Sequence, residues 1–367
     1  MPARRALGRT LGVLGFLAAV VLPGAYGARV LAQAHSAEAF AIHESNGIDE
    51  EQFVSIGGAD QWVTIRGRNR DNPVILVVGG LGADGPGTVA SPFHAAFQSW
   101  ESHFTVVQWD QRGAGKTFAK AANKLDPDLG VDLLARDALS LTNYLRQRLH
   151  KRRIVLLGVG FGSTLAAKLV LAHPEVYSAY VAAGQIANPR SDRQAAVYRQ
   201  LLRLASEHND QASLSDLNIA GPHPFAETPR DPNKLAALGR VSSRYHARNP
   251  PHQEQDVLTA PHWEIADALA IRAGMAASEA KFGRAWDEGF DYPSLRATFE
   301  APVFVVQGAL DIDAPVELSR AWFDHIRAPA KAFVVIPGAG THALQTDPEA
   351  YFTVLRDQVR PWAVRGG

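Results

Sequence analysis

The sequence predicts an α/β protein whose core is an open, mostly parallel sheet of about eight strands with helices on both faces. Two observations lead to this prediction. Short apolar runs such as Pro73 to Val78 end in glycine-rich turns, as strands buried on both faces of a parallel sheet do. Between such runs, apolar residues at steps of three and four from Val131 to Leu149 predict an amphipathic helix that packs on the sheet. Strand and helix therefore alternate along the chain.

The strand candidates follow one another in a regular order. Phe53 to Ile56 and Trp62 to Ile65 flank Gly57-Gly58-Ala59-Asp60, which is typical of a β-hairpin. The buried strand candidates after Pro73 to Val78 are Phe104 to Trp109, Ile154 to Leu157, Tyr180 to Ala183, Pro302 to Gln307 and Ala332 to Ile336.

A polar, helix-rich stretch interrupts this alternation and predicts an inserted helical cap over residues 188–299. It contains loops such as Gly221-Pro222-His223-Pro224 and Asn249-Pro250-Pro251. We expect the core to comprise residues 35–187 and 300–367, with the cap as a lid over the carboxyl edge of the sheet, where open α/β sheets bind ligands.

Composition narrows the class of ligand. The 37 Lys and Arg residues equal the 37 Asp and Glu residues, so the chain has no net positive field for a nucleic acid. The chain has no cysteine, which excludes disulfides, thiolate nucleophiles and Cys-ligated metals. No H-E-x-x-H or other metal-ligand spacing occurs. We expect a small-molecule or short-peptide substrate or ligand, with no metal and no cofactor.

The amino-terminal segment, residues 1–34, predicts export. Arg4, Arg5 and Arg9 precede the apolar stretch Leu11 to Leu22, and Ala32-Gln33-Ala34 is a candidate cleavage site. The apolar stretch is about twelve residues long, whereas a bilayer span needs about twenty. A cleaved signal, an uncleaved membrane anchor and a buried amino-terminal helix remain as alternatives, and the first two place the protein outside the cytoplasm, secreted or membrane-anchored.

The turn after Ile154 to Leu157 is the candidate reactive turn. Gly158, Gly160 and Gly162 alternate there, followed by Ser163, Thr164 and a helix start. In the nucleophile elbow G-x-S-x-G, such glycines surround a serine on a strained strand-to-helix turn. Here Gly160 stands at the serine position, so the attacking hydroxyl is absent. A dinucleotide-binding glycine motif and a purely structural glycine turn are alternatives, but the next strand supplies no acidic residue for a ribose.

Several ordered motifs together resemble the α/β-hydrolases of the proline iminopeptidase type, over roughly residues 46 to 365. The most specific is Asp110-Gln111-Arg112-Gly113-Ala114-Gly115-Lys116-Thr117, which is similar to the signature D-Q-R-G-x-G-x-S/T. Asn46 to Glu50, His173-Pro174-Glu175 and Gly184-Gln185 also match. The resemblance implies an α/β-hydrolase fold and hydrolysis of a peptide, an amide or an ester.

The resemblance also implies the remaining site residues. Asp311 in Gln307 to Pro315 matches the family's acid, with Asp313 as its neighbour, and His342 after Gly338-Ala339-Gly340-Thr341 matches the base of a G-A-G-H segment with one residue inserted. The oxyanion donors correspond to the backbone N–H groups near Gly80 and at Phe161. Specificity for a free amino group implies carboxylates in the cap, and the candidates are Glu264, Glu279, Asp287 and Glu288.

The chain departs from the family pattern at Gly160, at Val78 with Leu81, and at Thr341. Departures at three separate places favour natural divergence over an engineered serine-to-glycine exchange. Two functions follow as hypotheses. The first is a hydrolase that is either a serine-to-glycine variant or a diverged enzyme using His342 and Asp311 without a covalent intermediate. The second is a catalytically inactive protein that binds a ligand in the capped cleft. Ser163 and Thr164 are weaker nucleophile candidates, since a helix start directs them elsewhere.

Overall fold

The computed structural model describes residues 24–79, 94–222, 231–245, 259–288 and 290–366. Eight strands form one sheet in the order β1-β2-β4-β3-β5-β6-β7-β8. The strands are β1 Ile48–Ile56, β2 Ala59–Gly67, β3 Val74–Val78, β4 Thr105–Asp110, β5 Ile154–Val159, β6 Tyr177–Ala183, β7 Val303–Gly308 and β8 Lys331–Ile336.

The sheet is antiparallel at one edge and parallel elsewhere. β1 and β2 form an antiparallel hairpin with Phe53 opposite Trp62, and β2 also runs antiparallel to β4. The six strands β3 to β8 pair in parallel. The predicted hairpin and the predicted sheet of about eight strands are confirmed, although the hairpin strands extend several residues beyond the apolar runs.

Helices cover both faces of the sheet, as predicted. The helices are α1 at residues 24–39, α2 His94–Phe97, α3 Gly115–Lys120, α4 Val131–Arg148, α5 Gly162–Ala172, α6 Arg190–Glu207, α7 Gln211–Ala220, α8 Pro232–Tyr245, α9 Ile265–Glu288, α10 Val316–His325, α11 Ala343–Thr346, α12 Pro348–Val354 and α13 Arg360–Gly366. A π-helical turn, Leu355–Val359, joins α12 to α13.

Two apolar cores lie on opposite faces of the sheet. Leu141 of α4, Leu165 of α5 and Trp322 of α10 pack on one face. Trp100, Tyr351 and Leu355 pack on the other. Because strands β3 to β7 are buried on both sides, their residues are apolar without alternation, which explains the continuous runs in the sequence.

Helices α6 to α9 occupy the stretch between β6 and β7, where the sequence predicts a cap. Leu201, Ala205, Leu217 and Val241 form a small core of their own among α6, α7 and α8. The predicted loops His223-Pro224 and Asn249-Pro250-Pro251 lie outside the described residues. The limits of 188 and 299 for the cap remain a prediction.

The turn between β5 and α5 depends on a close approach between backbones. A Cβ atom on Gly162 would lie 2.1 Å from the carbonyl oxygen of Val78 and 2.7 Å from the carbonyl carbon of Gly79. Glycine at this position therefore allows the start of α5 to sit against the end of β3. These backbone atoms cannot move aside as the end of a flexible side chain would.

Gly162→Ala is expected to lower the free energy of unfolding by about 1–3 kcal/mol, the range for overpacking a close contact. Gly239→Ala is the matched control, because Gly239 lies inside α8 with no atom within 4 Å of an added Cβ. That control should raise the free energy of unfolding by about 0.5–1 kcal/mol through helix propensity. Urea unfolding followed by tryptophan fluorescence measures both, and equal effects of the two substitutions would refute the packing argument.

Candidate functional site

Gly160 lies at the apex of the turn between β5 and α5. Its φ of +53° is in the left-handed region that glycine adopts readily. The Gly160 N–H donates to the carbonyl of Ala183 at 3.0 Å, and the Gly160 carbonyl accepts from the N–H of Ser163 at 2.9 Å. The backbone of a nucleophile elbow is therefore formed without the side chain that would carry the attacking oxygen.

The two hydroxyl side chains next to the turn are used inside the protein. Ser163 and Thr164 are completely buried. The Ser163 Oγ accepts from the N–H of Ile186 at 2.9 Å, and the Thr164 Oγ1 donates to the carbonyl of Phe161 at 2.7 Å. Both hydroxyls stabilise the turn and the start of α5, in agreement with the expectation that the helix start directs them away from a substrate.

Phe161 follows the apex and precedes the first residue of α5. Among the described residues, no hydrogen bond uses its backbone N–H. An N–H at the start of a helix points along the positive end of the helix dipole, which favours an oxyanion or a carboxylate. The assignment of Phe161 as an oxyanion donor stays a prediction, and Gly80 lies outside the described residues.

Asp311 lies in the loop after β7 and is buried. Its Oδ1 accepts three hydrogen bonds, from the N–H groups of Asp313 and Ala314 at 2.9 Å each and from the Thr341 hydroxyl at 3.0 Å. Burial raises the pKa of Asp311 to about 6, although these hydrogen bonds oppose the shift. The carboxyl group therefore takes up a proton far more readily than an exposed aspartate.

His342 lies just before α11 and is partly buried. Burial lowers its pKa below the usual value, and a hydrogen bond with Gln345 opposes that shift. The imidazole is consequently neutral at pH 7 and able to accept a proton. Among the hydrogen bonds of the described residues, none joins His342 to Asp311, and Thr341 donates to Oδ1 of the acid.

The loops after β7 and β8 thus bring Asp311 and the Thr341-His342 pair to the same edge of the sheet as Gly160. Thr341 was visible in the sequence as an insertion before His342, but its bond to Asp311 was not predicted. The assignment of Asp311 and His342 as acid and base remains a prediction.

A second residue missed by sequence reasoning is Arg193 of α6. It is buried, and its Nη1 donates to the carbonyl of Asp313 at 2.9 Å. Its guanidinium carbon lies 4.7 Å from the centroid of the Phe161 ring. The positive charge of Arg193 also lowers the pKa of Asp311, against the larger effect of burial. The predicted cap therefore contributes a cation next to both the acid and the turn.

The signature Asp110 to Thr117 supports the site without entering it. The Gln111 side chain donates to the carbonyl of Gly79 at 2.7 Å and so fixes the end of β3 next to the candidate oxyanion loop. Arg112 donates to Asp137 at 2.5 Å and to Asp126 at 2.8 Å. Arg112 and Asp137 are both buried, so each satisfies the charge of the other.

The candidate cap carboxylates remain untested. Glu264 is exposed at the start of α9, and its backbone N–H donates to Asp267 at 2.9 Å. The side chains of Glu279, Asp287 and Glu288 lie outside the described residues. Their assignment to a substrate's amino group stays a prediction.

A separate cavity of about 550 Å³ lies between α1, the β1–β2 hairpin and the segment before α9. Its wall includes charged residues from both strands, with Asp49 and Glu51 on β1 and Arg66 on β2, and Arg66 donates to Asp49 and to the carbonyl of Phe40. The cavity shows that α1 closes over the antiparallel edge of the sheet.

Comparison with known proteins decides the family. The model of the family described as serine aminopeptidase, S33, matches residues 90–349. The chain belongs to the serine aminopeptidase family S33. This match confirms the predicted hydrolase family, and the sheet described above is that of an α/β-hydrolase.

Two curated relatives of this S33 protein match over most of their length. "Probable aminopeptidase YbaC" from Bacillus subtilis is 25% identical over 328 residues, covering 87% of this chain and 99% of the relative. "Probable proline iminopeptidase" from Streptomyces coelicolor is 26% identical over 319 residues, covering 81% of this chain and 90% of the relative. Both support the proline iminopeptidase-like branch.

Solved structures agree with the fold of this S33 protein. A proline iminopeptidase-related protein from Thermus thermophilus superposes with a TM-score of 0.56 at 22% identity, covering 87% of this chain and all of the other. A bacterial membrane phospholipase A superposes with a TM-score of 0.59 at 17% identity, covering 98% of this chain and all of the other. Across the described residues, no helix combines the length and apolar character needed to cross a bilayer.

Proposed function

We propose that this S33 protein binds a short peptide or a small amide non-covalently in the cleft at the carboxyl edge of its sheet, and that it forms no acyl-enzyme at residue 160. The observation that carries the proposal is the apex of the β5–α5 turn, where Gly160 has the elbow backbone with φ +53° but no hydroxyl. Acyl transfer by this family of folds begins with attack by an oxygen at that position.

The hydrogen bonding of the acid supports the same proposal. In a serine-hydrolase triad the acid orients the histidine that takes the proton from the serine. Here no hydrogen bond among the described residues joins Asp311 to His342, and Thr341 donates to Oδ1 of the acid. The N–H of Phe161 at the start of α5, which no hydrogen bond among the described residues uses, is suited to a carbonyl or carboxylate of a bound ligand. Its relatives' names, an aminopeptidase and a proline iminopeptidase, favour a peptide with a free amino group.

The test uses proline 4-nitroanilide and a fluorophosphonate probe on the purified protein. Calorimetry should detect binding of proline 4-nitroanilide, chromatography should recover it intact after prolonged incubation, and mass spectrometry should find no fluorophosphonate adduct. Rapid release of 4-nitroaniline, or an adduct on any residue, would show that the protein is an acyl-transfer enzyme after all.

A second candidate function is slow hydrolysis in which His342 activates water. It is favoured by the partial burial of His342, which keeps the imidazole neutral at pH 7 and available as a base. General-base catalysis contributes about 10²–10⁴-fold to a rate. Under this second function, His342→Ala is expected to reduce the hydrolysis of 4-nitrophenyl acetate at least tenfold at pH 7.

The control for this measurement is His325→Ala, because His325 is an exposed histidine whose ring Nδ1 lies 2.6 Å from the carbonyl oxygen of Ala321. If surface imidazoles alone cause the hydrolysis of the ester, the two variants should lose the same fraction of the rate. Equal rates for the wild type and His342→Ala would eliminate the second candidate and leave the binding function.

A further inference from the structure

The amino-terminal helix α1 is attached to the segment that leads into α9. The Arg29 guanidinium donates to the carbonyl of Trp263, and the Gln33 amide donates to the carbonyls of Ala260 at 2.9 Å and Trp263 at 2.8 Å. At the other end of the helix, the Gln98 amide donates to the carbonyl of Ala39 at 3.3 Å. Helix α1 is therefore fixed to the rest of the protein along its length.

These contacts bear on the fate of the amino-terminal segment. Cleavage after Ala34, the predicted site, would remove both Arg29 and Gln33. The backbone carbonyls of Ala260 and Trp263 would lose those donors, and Ala37 and Phe40 would no longer be held over the cavity beside β1 and β2. The contacts thus favour a helix α1 that stays attached.

Exposed apolar side chains lie on α1 and at the start of α9, which follows the segment that α1 contacts. Of the nine exposed large apolar side chains among the described residues, five belong to these two helices, with exposed fractions of 43% to 73%. We call these five the junction patch: Tyr26, Val30, Leu31, Ile265 and Leu269. Tyr26 and Val30 are one helical turn apart, as are Ile265 and Leu269, so each pair shares one side of its helix. The bonds from Arg29 and Gln33 to Trp263 join α1 to the segment just before α9, since Trp263 lies two residues before Ile265.

The sequence before α1 indicates what covers the junction patch. The apolar stretch Leu11 to Leu22, with three arginines before it, ends two residues before α1 begins. An apolar stretch that enters a bilayer would leave the first turn of α1 next to that bilayer. A tyrosine with several large aliphatic side chains next to an apolar segment is the composition found where a protein meets lipid headgroups. We propose that α1 stays attached to the protein and that the junction patch rests on a lipid bilayer surface.

This proposal assigns an orientation to the molecule. Ile265 and Leu269 belong to α9, within the predicted cap, so the surface that touches lipid is shared by the amino-terminal helix and the cap. A ligand that enters the cleft under this part of the cap would approach from the membrane side. The proposal is independent of whether Gly160 supports any catalysis.

The absence of cysteine allows a direct test with single-cysteine variants of the full chain. Leu31→Cys and Leu269→Cys, each labelled with the environment-sensitive dye NBD, are reconstituted in vesicles of phosphatidylethanolamine and phosphatidylglycerol. Val364→Cys is the matched control, because Val364 is a similarly exposed apolar side chain on α13. We expect at least twofold quenching by doxyl-labelled lipid at positions 31 and 269, and no quenching at position 364.

Three results would overturn the proposal. Dye at Leu269 that iodide quenches as strongly as dye at Val364, with no doxyl quenching, would place the cap in water. If the dye at positions 31 and 269 becomes more protected from iodide as the protein concentration rises, without doxyl quenching, a second copy of the chain covers the patch. Amino-terminal sequencing of the chain from its native host that begins at His35 would show that α1 is removed. Loss of doxyl quenching at position 269 in the Arg29→Ala, Gln33→Ala variant would add support, since these bonds join α1 to the segment just before α9.

Discussion

Gly160→Ser alone is expected to give almost no reaction with a fluorophosphonate, whereas Gly160→Ser combined with deletion of Thr341 should react at least 10³-fold faster. The single substitution supplies the hydroxyl but leaves Asp311 hydrogen-bonded to Thr341. Deleting Thr341 shortens the loop to Gly338-Ala339-Gly340-His342, the spacing of the family segment that it resembles. The histidine then takes the position from which Thr341 now reaches the acid.

The size of the effect follows from the way a triad works. Its members act as a unit, so removing the serine or the histidine alone costs about 10⁶ in kcat in a serine protease. A serine without an oriented base gains little, because an unassisted hydroxyl is a weak nucleophile at pH 7. Only the double variant has all three members in contact.

The measurement is the second-order rate of fluorophosphonate labelling, with hydrolysis of proline 4-nitroanilide as a second readout. The control is Gly160→Ala with the same deletion, which adds a Cβ at the same positive φ and shortens the same loop but carries no hydroxyl. Both residue-160 variants should lose stability to a similar extent, on the order of 1–3 kcal/mol, through strain in the left-handed region. Rapid labelling of Gly160→Ser without the deletion would contradict this prediction. It would show that Asp311 already orients His342 and that His342 already reaches residue 160.

The general fold could be predicted because strands that are buried on both faces of the sheet appear in the sequence as continuous apolar runs. Val74 to Val78 and Ile154 to Leu157 are apolar throughout, since each residue meets a helix layer on one side or the other. The limits of β1 could not be predicted in the same way. Its residues Glu50 and Glu51 are polar, and they belong to a strand because of pairing with β2 rather than because of an apolar run.

The site was predictable only in part for a related reason. Gly160 could be placed from its own turn, because a strand, three glycines and a helix start lie within a few consecutive residues. The partner of Asp311 could not be placed, because it depends on how the loop after β8 folds against the loop after β7. Arg193 was missed because it lies in the predicted cap, far along the chain from Asp311, and a single arginine on a helix gives no signal of proximity to an acid.

The buried acid gives a second large prediction, which concerns stability. Below about pH 4 the wild type and Asp311→Asn are expected to be similarly stable, and above about pH 6 the wild type should be less stable than the variant by about 3 kcal/mol. Burial raises the pKa of Asp311 in the folded protein to about 6, from an ordinary value near 3.8 in the unfolded chain. The folded state therefore holds the proton more tightly, and the stability this gives is fully present below the unfolded pKa and is lost as the pH rises through 6. A shift of about two units corresponds to about 3 kcal/mol.

Asparagine is the appropriate comparison because it resembles the protonated acid in shape and charge. Its amide oxygen can accept the hydrogen bonds from the N–H groups of Asp313 and Ala314 and from the Thr341 hydroxyl, as Oδ1 of the acid does now. Urea unfolding between pH 4 and pH 8 gives the difference between the two proteins, in which all other titrating groups, His342 included, largely cancel.

Two further variants make this measurement specific to the buried carboxyl group. Asp324→Asn, at an exposed position on α10, should follow the wild type at every pH. Thr341→Val removes a hydrogen bond that lowers the pKa of Asp311, so it should move the loss of stability to higher pH. A difference between the wild type and Asp311→Asn that stays constant from pH 4 to pH 8 would mean that the folded protein does not perturb this acid. In that case Asp311 would ionise near its ordinary pKa of about 3.8, like an exposed aspartate, and burial would not affect its pairing with a histidine.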